Sequence, residues 1–248
     1  MMTLLASTRP LVWTSAQAPP RRSRSRSWPR SWRCGVIATA EASPRIRLSP
    51  RAEDDPLQIG GVILAAGGAR RFGAQKLLAP LDGRPLVQHV IDAANASCLE
   101  EVTLVVSTSD LVAQLDLGRT RVVRNPDPAR GLASSLQIGL RALDQRLHAA
   151  LVLLGDVPGV TTTLIDEVVA RGRETRASAV VSVWRGRRSP PVVLHKSLWL
   201  AAFALEGDIG MREVLAGADV LEFAVPDALG SLDDIDTPED HARVSRSR

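Results

Sequence analysis

From about position 57 onward, short apolar runs alternate with longer segments in which apolar residues recur every three or four positions. The short runs predict buried strands, whereas the longer spacing predicts amphipathic helices. The predicted strands are 61–65, 102–107, 120–124, 149–154, 177–183, 191–194 and 220–225. The predicted helices are 86–96, 111–115, 134–147, 163–173, 198–205, 211–216 and 238 to the end of the chain.

Strands that alternate with helices in this way are typical of an α/β protein built from βαβ units. We therefore predict one domain, residues 57–248, with a mostly parallel central sheet and helices on both faces. Ligands of such sheets bind beyond the carboxyl ends of the strands. The loop after each predicted strand is the place to search for functional residues.

The first 56 residues lack this alternation and are rich in Arg, Ser and Pro. Residues 1–51 hold ten Arg, no Lys and one acid, a net charge of +9. Like charges at this density oppose compaction, so we predict a disordered tail over 1–56. A transit peptide, a nucleic-acid-binding arm and a twin-arginine signal at Arg21 and Arg22 are possible roles. The twin-arginine signal is disfavoured because no adequate apolar stretch follows the arginine pair. Among all these interpretations we favour a dispensable extension.

Charge and cysteine content restrict the partners of the remaining chain. Residues 52–248 carry a net charge of −5, which gives the folded domain no general affinity for nucleic acid. No apolar run reaches the ~20 residues that span a bilayer. Two cysteines, Cys34 and Cys98, cannot form a disulfide framework, and they indicate a reducing, cytoplasmic setting.

The first predicted strand leads into a small, basic loop. Residues 60–76 read GGVILAAGGARRFGAQK, so that glycines follow the apolar run and Arg70, Arg71 and Lys76 follow the glycines. Glycines let backbone N–H groups approach a ligand, and three cations within seven residues favour an anion, most simply a phosphate chain. The spacing matches neither a Walker A loop nor a dinucleotide fingerprint.

Polar residues also follow the third predicted strand. Asn125 precedes a helix that begins with Gly131-Leu132-Ala133-Ser134-Ser135. A serine at this place is commonly an N-cap. Alternatively, Ser134, Ser135 and Asn125 contact the base or ribose of a nucleotide at the helix N-terminus.

Acidic residues follow the fourth strand and precede the last helix. Asp156 comes directly after the apolar run and Gly155, where it either caps a turn before Pro158 or holds Mg²⁺ against phosphate oxygens. We favour the metal role because a polyanion site needs a cation. Asp234 and Asp236 alternate with Ile235 and share one face of an extended segment, which suits completion of the same Mg²⁺ site. The segment 185–195, RGRRSPPVVLH, is either a solvated turn or a second substrate-facing loop.

Five stretches in this order resemble a known family: LAAGGARRFGAQKLL, NPDPARGLASSLQIGL, LLGDVP, GDIGMR and DIDTPEDHA. They are similar to the small nucleotidyltransferases that act on the molybdenum cofactor, and most similar to the cytidylyltransferase branch. The resemblance runs from about Gly60 to His241. It implies a Rossmann-like three-layer α/β sandwich and Mg²⁺-dependent transfer of a nucleotidyl group to a molybdopterin-type acceptor, with release of pyrophosphate. A molybdoenzyme is then a further partner.

The resemblance also implies roles for individual residues. Leu64, Ala65, Ala66, Gly67 and Gly68 would bind the nucleotide, together with Asn125, Ser134 and Ser135. Arg71 and Lys76 would bind its phosphates and Asp156 the metal, the three forming the catalytic set. Asp236 resembles the second metal-binding position. The LAAG form and the serine pair favour CTP over GTP.

One departure leaves the acceptor open. The cytidylyltransferase branch has a Gly-His-Pro stretch on its pterin side, whereas Ser189-Pro190-Pro191 stands here. The alternatives are a guanylyltransferase, a sugar-phosphate nucleotidyltransferase and, outside this class, a non-catalytic cofactor-binding chaperone for a molybdoenzyme. A nicotinamide-dependent oxidoreductase is disfavoured because the dinucleotide fingerprint is missing.

Overall fold

The structure is a computed structural model that describes residues 57–67, 76–205, 207 and 211–246. All of these residues lie in one compact unit, Arg51–Arg248. The interpretations of the tail, residues 1–56, lie outside the described residues. Within the described ranges, no helix combines the length and the apolar character needed to cross a membrane.

Seven strands form the central sheet, in the order β5-β4-β1-β6-β8-β7-β9. All neighbouring pairs are parallel except those that involve β8, which runs antiparallel to both β6 and β7. The mostly parallel sheet is thus confirmed. The nine strands of the described chain are β1 (Ile59–Ala65), β2 (Pro80–Leu81), β3 (Arg84–Pro85), β4 (Val102–Val106), β5 (Arg121–Arg124), β6 (Ala149–Leu154), β7 (Ala179–Trp184), β8 (Arg187–His195) and β9 (Val220–Ala224).

Helices cover both faces of the sheet, as predicted. Ile63 of β1 packs into the core under α1 and α4, while its neighbours Val62 and Leu64 pack into the core under α3, α5 and α6. A central strand buried on both sides explains its continuous apolar run. The helices are α1 (Leu86–Asn95), α2 (Ser109–Val112), α3 (Leu132–Ala142), α4 (Thr162–Glu174), α5 (Trp199–Phe203), α6 (Met211–Leu215) and α7 (Pro238–Arg246).

The segment 185–195 differs most from its predicted structure. Arg185 and Gly186 form a tight turn with φ of 47° and 76°, as hairpin turns of two residues require. Strand β8 then begins at Arg187 and not at the predicted residue 191. The strand contains Pro190 and Pro191, at a place where its ladder with β7 shifts register between Val181 and Ser182. There the Ser182 hydroxyl donates a 2.7 Å hydrogen bond to the Pro191 carbonyl.

The short hairpin of β2 and β3 was not predicted. Each of its strands has two residues, which is too short for a periodic pattern. The hairpin carries Leu81 into a small core with Leu86 and Ile235. It therefore joins the segment after the basic loop to residues 231–236, the acidic segment near the C-terminus.

Candidate active site

The ends of β1 and β6 create the centre of the site. The chain adds β4 and then β5 on one side of β1 and later places β6 on the other side. The order of the strands therefore reverses between β1 and β6. The Gly155 N–H donates a 3.0 Å hydrogen bond to the Leu64 carbonyl. A Cβ on Gly155 would stand 3.1 Å from Val87 and 3.3 Å from that carbonyl, so the strand ends approach closely only with glycine there. Asp156 follows at the sheet edge where α/β proteins bind ligands.

The acidic segment is fixed beside Asp156 by backbone contacts. The Ser231 N–H donates to the Gly159 carbonyl at 3.1 Å, and the Ile235 N–H donates to the Asp156 carbonyl at 3.1 Å. Ile235 is fully buried, which anchors this extended segment in the small core with Leu81 and Leu86. The next residue, Asp236, is consequently held over the end of β6.

Lys76 joins the two carboxylates. Its ammonium nitrogen lies 2.9 Å from Oδ2 of Asp156 and 2.6 Å from Oδ1 of Asp236. The Lys76 side chain is 9% exposed, while the Asp156 and Asp236 side chains are 28% and 52% exposed. The lysine is therefore enclosed beneath two acids that remain accessible from solvent. The structure thus brings Lys76 together with two acids that follow it by 80 and 160 positions in the sequence.

Electrostatics keep Lys76 charged. Burial lowers its pKa, but the charge of Asp156 and the hydrogen bonds to Asp236 and Asp156 outweigh this effect and raise the pKa above its ordinary value. Asp234 lies in the same field. Partial loss of hydration, together with repulsion from Asp236, raises the pKa of its carboxyl. The carboxyl groups of Asp156, Asp234 and Asp236 therefore share the field of the single Lys76 ammonium.

The carboxylates of Asp156 and Asp236 are both accessible to solvent and have the oxygen donors that a divalent metal binds. Mg²⁺ prefers oxygen ligands and is commonly held by one or two carboxylates plus substrate phosphates and water. Asp156 and Asp236 supply such oxygens at one point. Among the described residues, no group of three or more His, Cys, Asp or Glu side chains is arranged to hold a metal ion. A metal here would thus need further oxygens from a bound substrate.

The predicted nucleotide-binding loop is described only as far as Gly67. Leu64, Ala65 and Ala66 are buried, whereas Gly67 is exposed with nothing within 4 Å of the place of a Cβ. This open space at the end of β1 lets a ligand approach the backbone. Gly68 and Arg71 lie outside the described residues, so their roles stay predictions.

Asn125, Ser134 and Ser135 form a buried polar cluster. The Asn125 amide donates to both serine hydroxyls, at 2.8 and 2.9 Å, and its oxygen accepts from the Asp127 N–H. Neither serine is the N-cap, because α3 begins at Leu132 with Gly131 in the cap position. In this state the amide orients the loop before α3. Its predicted contact with a nucleotide stays a prediction.

A cavity of about 620 Å³ opens at the same end of the sheet, on the face covered by α3 and α6. Leu64 and Leu154, at the ends of β1 and β6, form part of its wall, and Leu154 lies two residues before Asp156. Three exposed arginines also line it: Arg187 and Arg188 of β8 and Arg212 of α6.

Two residues that position the site were not singled out in the sequence. They are Ile235, which anchors the acidic segment, and Gly159, whose missing side chain admits the Ser231 backbone. Ile235 had a signal, since it is the one apolar residue among the three aspartates of 233–236. Gly159 had none, because a close approach of distant segments leaves no local pattern.

Comparison with known proteins gives a consistent result. The MobA-like NTP transferase domain matches residues 61–223. The purine catabolism protein PucB of Bacillus subtilis is 30% identical over 200 residues, which cover 75% of this chain and 96% of PucB. A probable molybdenum cofactor guanylyltransferase of Pyrococcus horikoshii is 29% identical over 162 residues, 64% of this chain and 74% of that protein. A crystal structure of Rv0371C in complex with manganese, from Mycobacterium tuberculosis, is 25% identical with a TM-score of 0.66, covering 77% of this chain and all of that one.

Proposed function

Because the chain belongs to the family of MobA-like NTP transferase domains, we propose that this nucleotidyltransferase moves the CMP group of CTP onto a phosphate-bearing acceptor of the molybdopterin type. One observation carries the proposal: Lys76, Asp156 and Asp236 meet beyond the ends of β1 and β6. A cation and two accessible carboxylates at this edge suit a triphosphate that arrives with a divalent metal.

The reaction needs no nucleophilic side chain. An oxygen of the acceptor phosphate forms a bond to the α-phosphorus, and the bond between that phosphorus and the bridging oxygen of the β-phosphate breaks. The electron pair leaves with pyrophosphate. The acceptor oxygen is already ionised, so no general base is required, and catalysis rests on positioning and on neutralising charge.

Each residue then has a task in the proposal. Lys76 moves from the carboxylates to the phosphates and, with Arg71, offsets the charge that develops on the departing pyrophosphate. Asp156 and Asp236 would hold Mg²⁺, which would supply charge neutralisation at the phosphate oxygens. The backbone from Leu64 to Gly68 accommodates the nucleotide. Asn125, Ser134 and Ser135 keep the loop before α3 in place beneath it.

The choice of CTP rests on the LAAG form of the loop at 64–67. GTP is the second candidate, because several relatives carry the name "probable molybdenum cofactor guanylyltransferase". We further propose that the protein acts in the cytoplasm and hands its product to a molybdoenzyme.

Pyrophosphate release tests the proposal. The full chain is incubated with Mg²⁺ or Mn²⁺ and each of the four nucleoside triphosphates, with and without molybdenum cofactor. We expect release that needs the acceptor, a divalent metal and CTP. Pyrophosphate release with GTP but not with CTP would make GTP the nucleotide donor. Binding of a nucleotide or of the cofactor without pyrophosphate release would favour the non-catalytic chaperone. The matched pair is Asp156→Ala, expected inactive, and Asp144→Ala, expected active. Asp144 is a partly exposed aspartate that pairs with Arg146 away from the site.

A further inference from the structure

The acidic segment, residues 231–236, belongs to no helix or strand of the described chain, but its burial alternates. Asp233 is partly buried and Ile235 is fully buried, whereas Asp234 and Asp236 are exposed. Alternate residues of an extended chain point to opposite sides. One side of the segment therefore contacts its supports, and the other side carries Asp234 and Asp236 in the field of Lys76.

Asp233 joins this segment to the turn between β7 and β8. Its Oδ1 atom accepts a 3.2 Å hydrogen bond from the indole N–H of Trp184 and lies 3.4 Å from Nη1 of Arg185. The Arg185 guanidinium also stands over the Trp184 ring, 5.1 Å from the ring centroid. The indole, the guanidinium and the carboxylate thus form three contacts among themselves, and each contact restricts the other two groups.

Both sides of this contact are well fixed in the fold. Trp184 is the last residue of β7, is 7% exposed and packs into the core under α1 and α4. Asp233 is held in turn by Ser231, whose hydroxyl donates to its Oδ2 atom at 2.8 Å and accepts from its N–H at 3.1 Å. The contact therefore ties the acidic segment to a buried strand end.

We infer that Asp233 is a positioning residue, whose bond to Trp184 directs the acidic segment so that Asp236 stays over the end of β6. One anchor, Ile235 in the small core, leaves an extended chain free to rotate about that point. A second anchor on the same side of the chain fixes its direction and so the place of Asp236. The inference rests on the proposed function, in which Asp236 holds the metal, and deepens it by naming the residue that orients this acid.

Trp184→Phe tests the anchor without a change of charge, because it keeps an aromatic ring in the core and removes only the indole N–H. Hydrogen exchange with mass spectrometry on the full chain follows peptides that contain Ile235, whose amide donates to the Asp156 carbonyl. We expect exchange there to become about three- to tenfold faster, as for the loss of one hydrogen bond. Unchanged exchange overturns the inference.

Trp199→Phe is the matched control. The Trp199 indole N–H donates a 3.3 Å hydrogen bond to the Leu194 carbonyl, in the core on the opposite face of the sheet. The control variant therefore loses a comparable bond and a comparable volume without touching the acidic segment. Exchange at Ile235 and turnover should stay within about twofold of the wild type. If both tryptophan variants behave alike, the effect is a general loss of stability and the inference fails.

Kinetics separate positioning from stability. In the pyrophosphate assay, Trp184→Phe and Asp233→Ala should lower kcat about three- to tenfold and leave the KM for CTP within about twofold, since neither touches the loop after β1. Asp233→Asn keeps an oxygen that accepts from the indole and should recover most of the kcat lost in the alanine variant. An asparagine variant as slow as the alanine variant would assign the effect to charge and overturn the inference.

Failure of the proposed function is recognised separately. If the wild type releases pyrophosphate from none of the four triphosphates, the transferase proposal fails, and Mn²⁺ affinity from electron paramagnetic resonance judges the anchor. Binding at least about threefold weaker in Trp184→Phe than in Trp199→Phe supports the positioning of Asp236, and equal binding overturns it. If Trp184→Phe and Asp233→Ala release pyrophosphate at the wild-type rate, the transferase proposal stands and the inference fails.

Discussion

The Lys76 ammonium lies 2.6 Å from the Asp236 carboxylate, across 160 positions of sequence. The same nitrogen lies 2.9 Å from Asp156. A buried lysine placed between two accessible acids offsets part of their negative charge in the absence of a ligand. A metal that binds these acids must compete with that charge, and a triphosphate that attracts Lys76 removes the competition.

Removing the Lys76 charge should therefore strengthen metal binding to the nucleotide-free protein. We expect Lys76→Met to bind Mn²⁺ on the order of tenfold more tightly than the wild type, because the two carboxylates lose their internal counter-ion. Electron paramagnetic resonance of free Mn²⁺ measures this affinity without any turnover. Lys76→Arg keeps the charge and should retain the weak binding. Weaker or unchanged binding by the methionine variant would show that the acids do not form the metal site.

Asp156 has the most central position and should be the least replaceable acid. Asp156→Asn keeps the size of the side chain but removes its charge, and we expect turnover to fall at least about 100-fold. CTP binding should weaken less, because the backbone loop and Lys76 remain. Steady-state kinetics and calorimetry on the same preparation separate the two effects. Turnover within a few-fold of the wild type would remove Asp156 from the catalytic set.

The contact between Gly159 and Ser231 predicts a link between loop packing and activity. A Cβ at position 159 would stand 2.4 Å from the Ser231 carbonyl oxygen, so the acidic segment must move to admit it. We expect Gly159→Ala to lower the free energy of unfolding by about 1–3 kcal/mol and to lower kcat by displacing Asp236.

Gly217→Ala is the matched control for this variant, because nothing lies within 4 Å of a Cβ at that position. Thermal unfolding and pyrophosphate release should both stay at wild-type values. If Gly159→Ala behaves like Gly217→Ala, the position of the acidic segment does not depend on the close approach of Gly159 and Ser231.

The sequence predicts the sheet well because its signals are local. The runs at 61–65 and 149–154 are apolar throughout, and this follows from burial on both faces of the sheet. Asp156 is predictable for the same reason, since an acid directly after a buried strand lies at the sheet edge. The parallel order of the strands follows from the helices between them.

The details of the site depend on contacts between distant segments, which no local pattern encodes. The basic loop indicates that Lys76 meets an anion, but not that Asp156 and Asp236 are the partners in the absence of a ligand. Asn125 and the serines have the composition of a ligand site, yet they bond to one another. The cavity requires β8 to begin at Arg187, four residues before the predicted strand, in a segment where two prolines argue against a strand.

Cys98 offers a pH-dependent prediction away from the site. Loss of hydration, followed by the hydrogen bond and charge of Asp166, raises the pKa of its thiol above the ordinary 9.0. Only the thiolate reacts with iodoacetamide, so a raised pKa shifts the reaction to higher pH. In Cys34→Ser protein, where Cys98 is the remaining cysteine, we expect the rate to reach half of its alkaline limit above pH 9.0.

Asp166→Asn tests the cause of this shift, because it removes the carboxylate charge while it keeps the shape of the side chain. Asp166 Oδ1 accepts a 2.8 Å hydrogen bond from the Cys98 N–H, so the carboxylate lies directly beside the cysteine. Loss of the negative charge should favour the thiolate and move the half-rate pH of alkylation back toward 9.0. Asp110→Asn, an exposed acid on α2, should leave the profile in place. A profile that does not respond to Asp166→Asn would assign the shift to lost hydration alone.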